Sequence, residues 1–240
     1  MTTETLTTLA TADGPMDVYE ALPDGKPLGA VIVIQEAFGV NDHIKDVTRR
    51  FAAQGYRAAA PTIFHRAGGG TAPYTDFSKV MPLFKGLTDA GIVMDVDATA
   101  QHLRSQGFRD SQIGIVGFCM GGRVTFMIAT RRKLGAAVGF YGGAIAKARR
   151  PGFEPLIQDT PNLATPWLGL FGDADAGIPV EDVELLRETL AREAKVPSLI
   201  VRYPGAEHGF HCDVRPSYNE KAAKDAWART LDWLRQHLSA

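Results

Sequence analysis

The chain has 240 residues, of which 45% are apolar and 22% are charged, and its formal net charge is −1. This composition is typical of a globular protein, and the lack of a lysine and arginine block argues against a nucleic-acid or anionic-membrane partner. The polar start of the chain does not resemble a secretion signal, and no apolar stretch approaches the roughly 20 residues of a membrane span. Two cysteines do not make a disulfide framework, so we expect a cytoplasmic protein.

Short apolar runs alternate with amphipathic stretches along nearly the whole chain. The expected strands are residues 6–11, 16–22, 30–34, 57–60, 112–118, 136–140, 166–171 and 197–203. The expected helices are residues 42–54, 89–105, 121–132, 180–193 and 219–238. The intervening residues 61–87 and 141–165 are expected to be loop-rich, and Arg149 and Arg150 to form a solvated pair.

Strands that alternate with helices of this length indicate parallel strands joined by right-handed crossovers. We expect one α/β domain over residues 1–240, with a mostly parallel central sheet of about eight strands flanked by five or six helices. In open parallel sheets ligands bind at the carboxyl ends of the strands. The residues that directly follow a strand are therefore the candidates for chemistry.

The strongest chemical signal is the segment GFCMGG at residues 117–122, between an expected strand and an expected helix. A nucleophile with glycine two residues before and after it is typical of a nucleophile elbow, because its tight turn leaves no room for neighbouring side chains. The nucleophile would be Cys119, at a helix N-terminus that favours the thiolate, and the Met120 N–H would face a developing oxyanion. The alternative is a buried structural cysteine in a glycine-rich turn.

A candidate acid and a candidate base follow two later strands. Asp173 and Asp175 come after the strand expected at 166–171, and His208 comes after the strand expected at 197–203. Either aspartate could orient the histidine, although an aspartate at a strand end commonly forms a turn or caps a helix. The order nucleophile, acid, base, each after its own strand, is that of the α/β-hydrolase triad and favours the three roles together.

The chain resembles the dienelactone hydrolase (carboxymethylenebutenolidase) family from about residue 16 to the C-terminus. The segments that carry the resemblance are QEAFGVN at 35–41, GFCMGG at 117–122, GFYG at 139–142, GDADAGIP at 172–179 and YPGAEHGF at 203–210. The resemblance implies an α/β-hydrolase fold and the cleavage of an ester or lactone through a thioester intermediate.

By this resemblance Cys119 is the nucleophile, His208 the base, and Asp175 rather than Asp173 the acid, so that Asp173 should face solvent or cap the loop. It also makes Glu36 the carboxylate that helps to deprotonate the thiol. Independently, a carboxylate directly after a central strand lies at the functional edge of the sheet. The alternative for Glu36 is a structural role, as an acceptor for the N-terminal amides of the next helix.

The same resemblance assigns the oxyanion hole to the backbone N–H groups of Ala37 and Met120. The expected substrate contacts are Tyr141, Phe38, Phe77 and Cys212. Members that cleave dienelactone bind its carboxylate with two arginines, and this chain has Phe77 and Cys212 in their places. An unpaired buried charge costs several kcal/mol, so we expect neutral esters and lactones to be preferred. The cations that could compensate are Lys79, Lys85 and Arg123.

Three other interpretations remain open. His208, His211 and Cys212 could form a metal site, but a fourth ligand with suitable spacing is missing, and we expect no metal. The chain could instead be a catalytically silent binding protein, or Cys119 could have a redox role, although no second cysteine stands at C-x-x-C spacing. We expect no cofactor, a small-molecule ester or lactone as the partner, and a monomer or weak homodimer.

Overall fold

The computed structural model of the protein describes residues 2–148 and 153–239; Arg149 and Arg150, the expected solvated pair, lie outside them. The strands within these residues are β1 Thr3–Thr11, β2 Gly14–Leu22, β3 Gly29–Ile34, β4 Tyr56–Pro61, β5 Ile113–Phe118, β6 Ala136–Phe140, β7 Trp167–Gly172 and β8 Ser198–Tyr203. The α-helices are α1 Asp42–Ala53, α2 Val80–Leu83, α3 Asp89–Ser105, α4 Met120–Arg131, α5 Val180–Glu193 and α6 Glu220–His237. Every expected strand and helix is present, with its ends shifted by three residues or fewer.

The strands form one sheet in the order β1-β2-β4-β3-β5-β6-β7-β8. β1 is antiparallel to β2, and β2 is antiparallel to β4. In contrast, β3 pairs with β4, β6 with β7, and β7 with β8 in parallel. All residues of β3, β5, β6 and β7 are buried, as expected of strands covered on both faces. The prediction of a mostly parallel sheet flanked by helices is confirmed.

The chain folds into two compact units, which are described separately. The first contains residues 2–114 and residue 239, and the second contains residues 115–148 and 153–238. The prediction of one domain over residues 1–240 stays a prediction.

In the first unit, α1 shows how the sequence pattern becomes packing. Ile44, Val47 and Phe51 recur at helical spacing and are completely buried. The Asn41 side chain caps the helix by accepting the Ile44 N–H at 3.1 Å, and the chain leaves the helix through Gly55, whose φ is +90°. These local signals explain why the helix was predictable to within one residue.

The segment between β4 and α3 is more ordered than the expected loop. It contains two short 3₁₀ turns, His65–Ala67 and Phe77–Lys79, and α2 follows the second of them directly. Val80 is completely buried in an apolar cluster with Phe38 and Ala72. Val80 is the one buried residue of α2, and one buried position is too little periodicity to predict a helix from sequence.

Arg66 fixes the start of the same segment. Its guanidinium donates to both carboxylate oxygens of the buried Asp95 at 2.7 and 2.9 Å, and to the Gly91 carbonyl at 3.2 Å. A fourth bond of 2.7 Å reaches Asp13. The turn that leaves β4 is therefore bound to α3 through a paired buried charge.

In the second unit, the core beneath the candidate residues is largely aromatic. The Phe118 and Phe140 rings stack with 4.7 Å between centroids, and Phe126 meets Trp167 edge-on at 5.1 Å. The indole N–H of Trp167 donates to the Thr125 hydroxyl at 3.2 Å. This packing makes β5, β6 and β7 a rigid base for the loops at their carboxyl ends.

The expected loop after β6 contains one more ordered element, a 3₁₀ turn at Ile157–Asn162. Arg123 is buried and donates to the Glu154 carbonyl at 2.9 Å, with its guanidinium 5.1 Å from the Phe153 ring centroid. Arg123 thereby supports this segment from α4. No helix within residues 2–148 and 153–239 is both long and apolar enough to cross a lipid bilayer.

Candidate active site

The turn from β5 into α4 has the strained geometry of a nucleophile elbow. Cys119, the residue between the two elements, has φ 54° and ψ −114°, a conformation that non-glycine residues rarely adopt. A Cβ added to Gly117 would collide with the Gly121 carbonyl oxygen, and one added to Gly122 would collide with that of Phe140. Only glycine fits at these two positions, which explains the first and the last glycine of the G-x-C-x-G-G pattern.

Backbone hydrogen bonds hold the elbow on both sides. The Cys119 N–H donates to the Phe140 carbonyl at 3.0 Å, and the Cys119 carbonyl accepts the Arg123 N–H at 3.3 Å, at the start of α4. The Cys119 side chain is half-buried and makes no cap hydrogen bond to the helix. Cys119 is the N-cap residue of α4. The positive end of a helix dipole favours an anionic thiolate over a neutral thiol.

The loops after β7 and β8 bring Asp175 and His208 together. The His208 Nδ1 donates to Asp175 Oδ2 at 2.6 Å, and Asp175 Oδ1 accepts the Gly177 N–H at 2.8 Å. The Ala174 N–H donates to the Ala206 carbonyl at 2.9 Å and ties the two loops to each other. Because Asp175 is almost completely buried, it holds the imidazole through Nδ1 in a fixed orientation.

Asp173 pairs with an arginine, a contact that its sequence context did not predict. Its carboxylate accepts the Arg202 Nε–H at 2.7 Å, and Arg202 also donates to Glu184 at 2.8 Å. The Asp173 side chain keeps 23% of its surface exposed within this ion pair, so the expectation that it faces solvent holds only in part. The parallel register of β7 and β8 places Phe171 beside Arg202, so the Arg202 side chain lies close to the residues that follow β7.

His208 is electrostatically coupled to both Cys119 and Asp175. Burial by itself lowers the pKa of His208, but the attraction of the Cys119 sulfur and the hydrogen bonds with Asp175 and Cys119 outweigh it. Together they raise the pKa of His208 to about 10. His208 therefore lies between the Asp175 carboxylate and the Cys119 sulfur and interacts with both.

Tyr141, an expected substrate contact, packs against His208. Its ring is completely buried and meets the imidazole edge-on, with 5.1 Å between the centroids. A second edge-on contact joins it to Phe210 at 5.3 Å, and its N–H donates to the Leu170 carbonyl at 2.7 Å. The Tyr141 ring therefore limits rotation of the imidazole that Asp175 holds.

Two other residues of the His208 loop lie in the core. Cys212 is completely buried, so a direct substrate contact would require its surroundings to move. The His211 ring stacks on Phe118 at 5.3 Å and lies 4.9 Å from the Phe140 ring. Within the described part of the chain, no three His, Cys, Asp or Glu side chains gather as a metal-ion cluster.

Arg215, which was not a candidate from the sequence, lies beside the His208 loop. A Cβ added to Gly209, whose φ is +81°, would collide with the Arg215 guanidinium, with the arginine Cζ at 2.7 Å. The Arg215 N–H donates to the Cys212 carbonyl at 3.1 Å. Arg215 belongs to an irregular segment, and no periodic pattern in the sequence could have placed its guanidinium beside Gly209.

In the first unit, Glu36 follows β3 and is completely buried. The Tyr74 hydroxyl donates to Glu36 Oε2 at 2.6 Å, a contact that the sequence did not reveal. The Phe38 ring lies between Tyr74, at 4.6 Å, and Phe77, at 6.3 Å between centroids. Phe38 and Phe77, both expected substrate contacts, thus belong to one aromatic wall, and Phe77 is 46% exposed.

The two expected oxyanion donors lie in different units. Ala37 follows Glu36 in the first unit and is buried within the apolar cluster that contains Phe38. Met120 is the first residue of α4 in the second unit and is also buried.

Comparison with known proteins gives one consistent family. The sequence model of the Dienelactone hydrolase family matches residues 16–238. A Methylorubrum extorquens protein named "Putative carboxymethylenebutenolidase" is 37% identical over 228 residues, which cover 94% of this chain and 78% of that protein. An Escherichia coli protein of the same name is 38% identical over 230 residues, covering 92% and 83%. The crystal structure of a "Putative Dienelactone Hydrolase" from Klebsiella pneumoniae has a TM-score of 0.88 at 37% identity, covering 98% of this chain and 99% of that one.

Proposed function

Since this chain belongs to the dienelactone hydrolase family, whose fold is that of the α/β-hydrolases, we propose that it hydrolyses carboxylic esters or lactones with Cys119 as the nucleophile. The observation that carries the proposal is the chain of hydrogen bonds from Asp175 through His208 to Cys119 at a strained elbow. A buried structural cysteine needs neither an imidazole partner nor a strained backbone.

In the first half of the reaction, the Cys119 thiolate attacks the ester carbonyl carbon and forms a C–S bond. The carbonyl electrons move to the oxygen, which becomes an oxyanion. As this tetrahedral intermediate collapses, the C–O bond to the alkoxide breaks, and the alkoxide takes a proton from the His208 imidazolium. An alcohol leaves and a thioester remains on Cys119.

In the second half, water attacks the thioester carbonyl while His208 accepts one of its protons. The C–S bond breaks, the carboxylic acid leaves, and the thiolate and imidazolium are restored. The His208 side chain keeps 31% of its surface exposed, which supports access of water to the ring. The net reaction adds one water to one ester and needs no cofactor.

The remaining roles follow the same proposal. The backbone N–H groups of Ala37 and Met120 stabilise the oxyanion, as donors aimed at developing charge do in acyl transfer. Glu36 accepts the thiol proton when the cysteine is protonated. In the first unit, Phe38 and Phe77 are the proposed substrate contacts. Tyr141, which is completely buried, supports His208.

The proposal is tested with a panel of p-nitrophenyl esters and simple lactones. We expect the wild-type protein to turn over and Cys119→Ala to be inactive yet folded, because alanine fits the turn. Cys119→Ser should also be poor, since a hydroxyl ionises far less readily than a thiol. Full activity in Cys119→Ala would contradict the covalent mechanism, and a wild-type protein inactive on the whole panel would favour a silent binding protein.

A further inference from the structure

Tyr74 makes a short hydrogen bond to a carboxylate in the proposed machinery. Its hydroxyl donates to Glu36 Oε2 at 2.6 Å, and Glu36 is completely buried. A buried carboxylate needs donors, because a charge removed from water without compensation costs several kcal/mol. The phenol supplies one such donor within the first unit.

Packing fixes the phenol relative to the carboxylate. The Tyr74 ring lies 4.6 Å from the Phe38 ring, at an interplanar angle of 59°, and Phe38 is only two residues beyond Glu36. The Ala72 N–H donates to the Phe38 carbonyl at 3.1 Å, which joins the two segments through their backbones. The ring, and with it the hydroxyl, therefore has little freedom to move away from Glu36.

A glycine allows the two segments to approach this closely. Gly39 has φ +83°, and a Cβ added there would lie 2.5 Å from the Gly70 carbonyl oxygen and 3.2 Å from the Thr71 Cα. Any other residue at position 39 would push the two segments apart. The backbone around Glu36 is thus shaped to receive the segment that carries Tyr74.

We propose that Tyr74 is a positioning residue that holds the Glu36 carboxylate in the one orientation in which it accepts the thiol proton. The inference rests on the proposed role of Glu36 and adds a residue to it. Tyr74 acts through Glu36, so its effect on the reactivity of Cys119 should disappear when Glu36 can no longer accept a proton.

The test is the rate of Cys119 alkylation by iodoacetamide between about pH 6 and 9, a range that brackets the ordinary thiol pKa. The rate is measured on the peptide that contains Cys119, since Cys212 is a second thiol outside any disulfide. We expect Tyr74→Phe to lower the rate about tenfold, because a carboxylate that the phenol no longer holds spends less time in the orientation that accepts the thiol proton. In a Glu36→Gln background the same change should have no further effect.

The matched control is Tyr19→Phe. The Tyr19 hydroxyl also donates to a glutamate in the first unit, Glu4 Oε2, at 2.6 Å. This variant removes a hydrogen bond of the same kind and should leave alkylation at the wild-type rate. A loss equal to that of Tyr74→Phe would indicate a general structural effect and overturn the inference.

Two further outcomes would overturn the positioning role. One is a wild-type alkylation rate in folded Tyr74→Phe, and the other is an additional tenfold loss when Tyr74→Phe is combined with Glu36→Gln. The second comparison remains decisive if Tyr74→Phe alone does not fold, because Glu36→Gln removes the buried charge. If either outcome is found while Cys119→Ala is inactive, only the positioning role of Tyr74 is rejected. If Cys119→Ala is active, the proposed function itself is rejected.

Discussion

At the scale of single residues, the proposed acid differs from its neighbour by one hydrogen-bond partner. Asp175 is almost completely buried and accepts a bond from His208, whereas Asp173 accepts one from Arg202. Both aspartates follow β7, and composition alone does not separate them. The difference arises because their side chains reach different neighbours, His208 after β8 and Arg202 within it.

We therefore expect Asp175→Asn to lower turnover by about 10⁴, as loss of an orienting carboxylate does in a comparable triad. Asp173→Asn should cost at most a few-fold, because its ion pair with Arg202 is partly exposed and such pairs contribute about 1 kcal/mol or less. Steady-state kinetics of the two variants on one ester make the comparison. If Asp173→Asn lost most of its turnover and Asp175→Asn lost little, Asp173 rather than Asp175 would be the acid of the triad.

The pH dependence of turnover follows from the raised pKa of His208, about 10. A raised pKa means that the protonated imidazole is stabilised in the folded protein. This stabilisation is lost as the pH rises through about 10, where His208 loses its proton. Alkyl esters release an alkoxide that needs this proton, so their hydrolysis should decline only near pH 10. Asp175→Asn should move the decline to lower pH, because it removes a bond and a charge that raise the pKa. A wild-type decline near pH 6.5, the ordinary range of histidine, would contradict the coupling.

At the scale of elements, the features that can be predicted from the sequence are those that a local residue pattern determines. The β5–α4 elbow is encoded by Gly117, Cys119 and Gly122, whose spacing directly expresses the close backbone approach. Tyr74 and Arg215 gave no such signal. Each is placed by the packing of an irregular segment against another loop, and that packing leaves no periodicity in the sequence.

The elbow predicts a sharp difference between two glycines. Gly122→Ala should destabilise the fold by about 3 kcal/mol or more, because its Cβ would meet backbone atoms that cannot move aside. Gly143→Ala is the matched control, since the atoms nearest its Cβ are the flexible Ile178 side chain at 3.6 Å and beyond. Urea unfolding measures both changes. Equal stability of the two variants would mean that the elbow tolerates a side chain.

At the scale of the whole molecule, the net charge of −1 and the family membership leave the charge of the substrate open. Two expected contacts are uncharged, Phe77 on the aromatic wall and the buried Cys212. Arg123 supports a neighbouring segment by donating to the Glu154 carbonyl. These features support the proposal that neutral esters and lactones are preferred.

A matched pair of substrates tests this preference, one ester with a free carboxylate and the same ester with that group methyl-capped. We expect a higher kcat/KM for the capped ester. A preference of tenfold or more for the acid, about 1.4 kcal/mol, would contradict the proposal. Arg215→Gln would then show whether the cation beside the His208 loop is responsible, because its loss should abolish the preference for the acid.

The central claim is that an acyl group passes through Cys119, and the most direct measurement is the mass of the protein during turnover. A p-nitrophenyl ester has a good leaving group, so acylation is fast and the thioester should accumulate before hydrolysis. After mixing and rapid acid quench, we expect the acyl mass on the peptide that contains Cys119, and its removal by neutral hydroxylamine. Turnover at the full rate with no acyl group on that peptide, or with the group on another residue, would contradict the account.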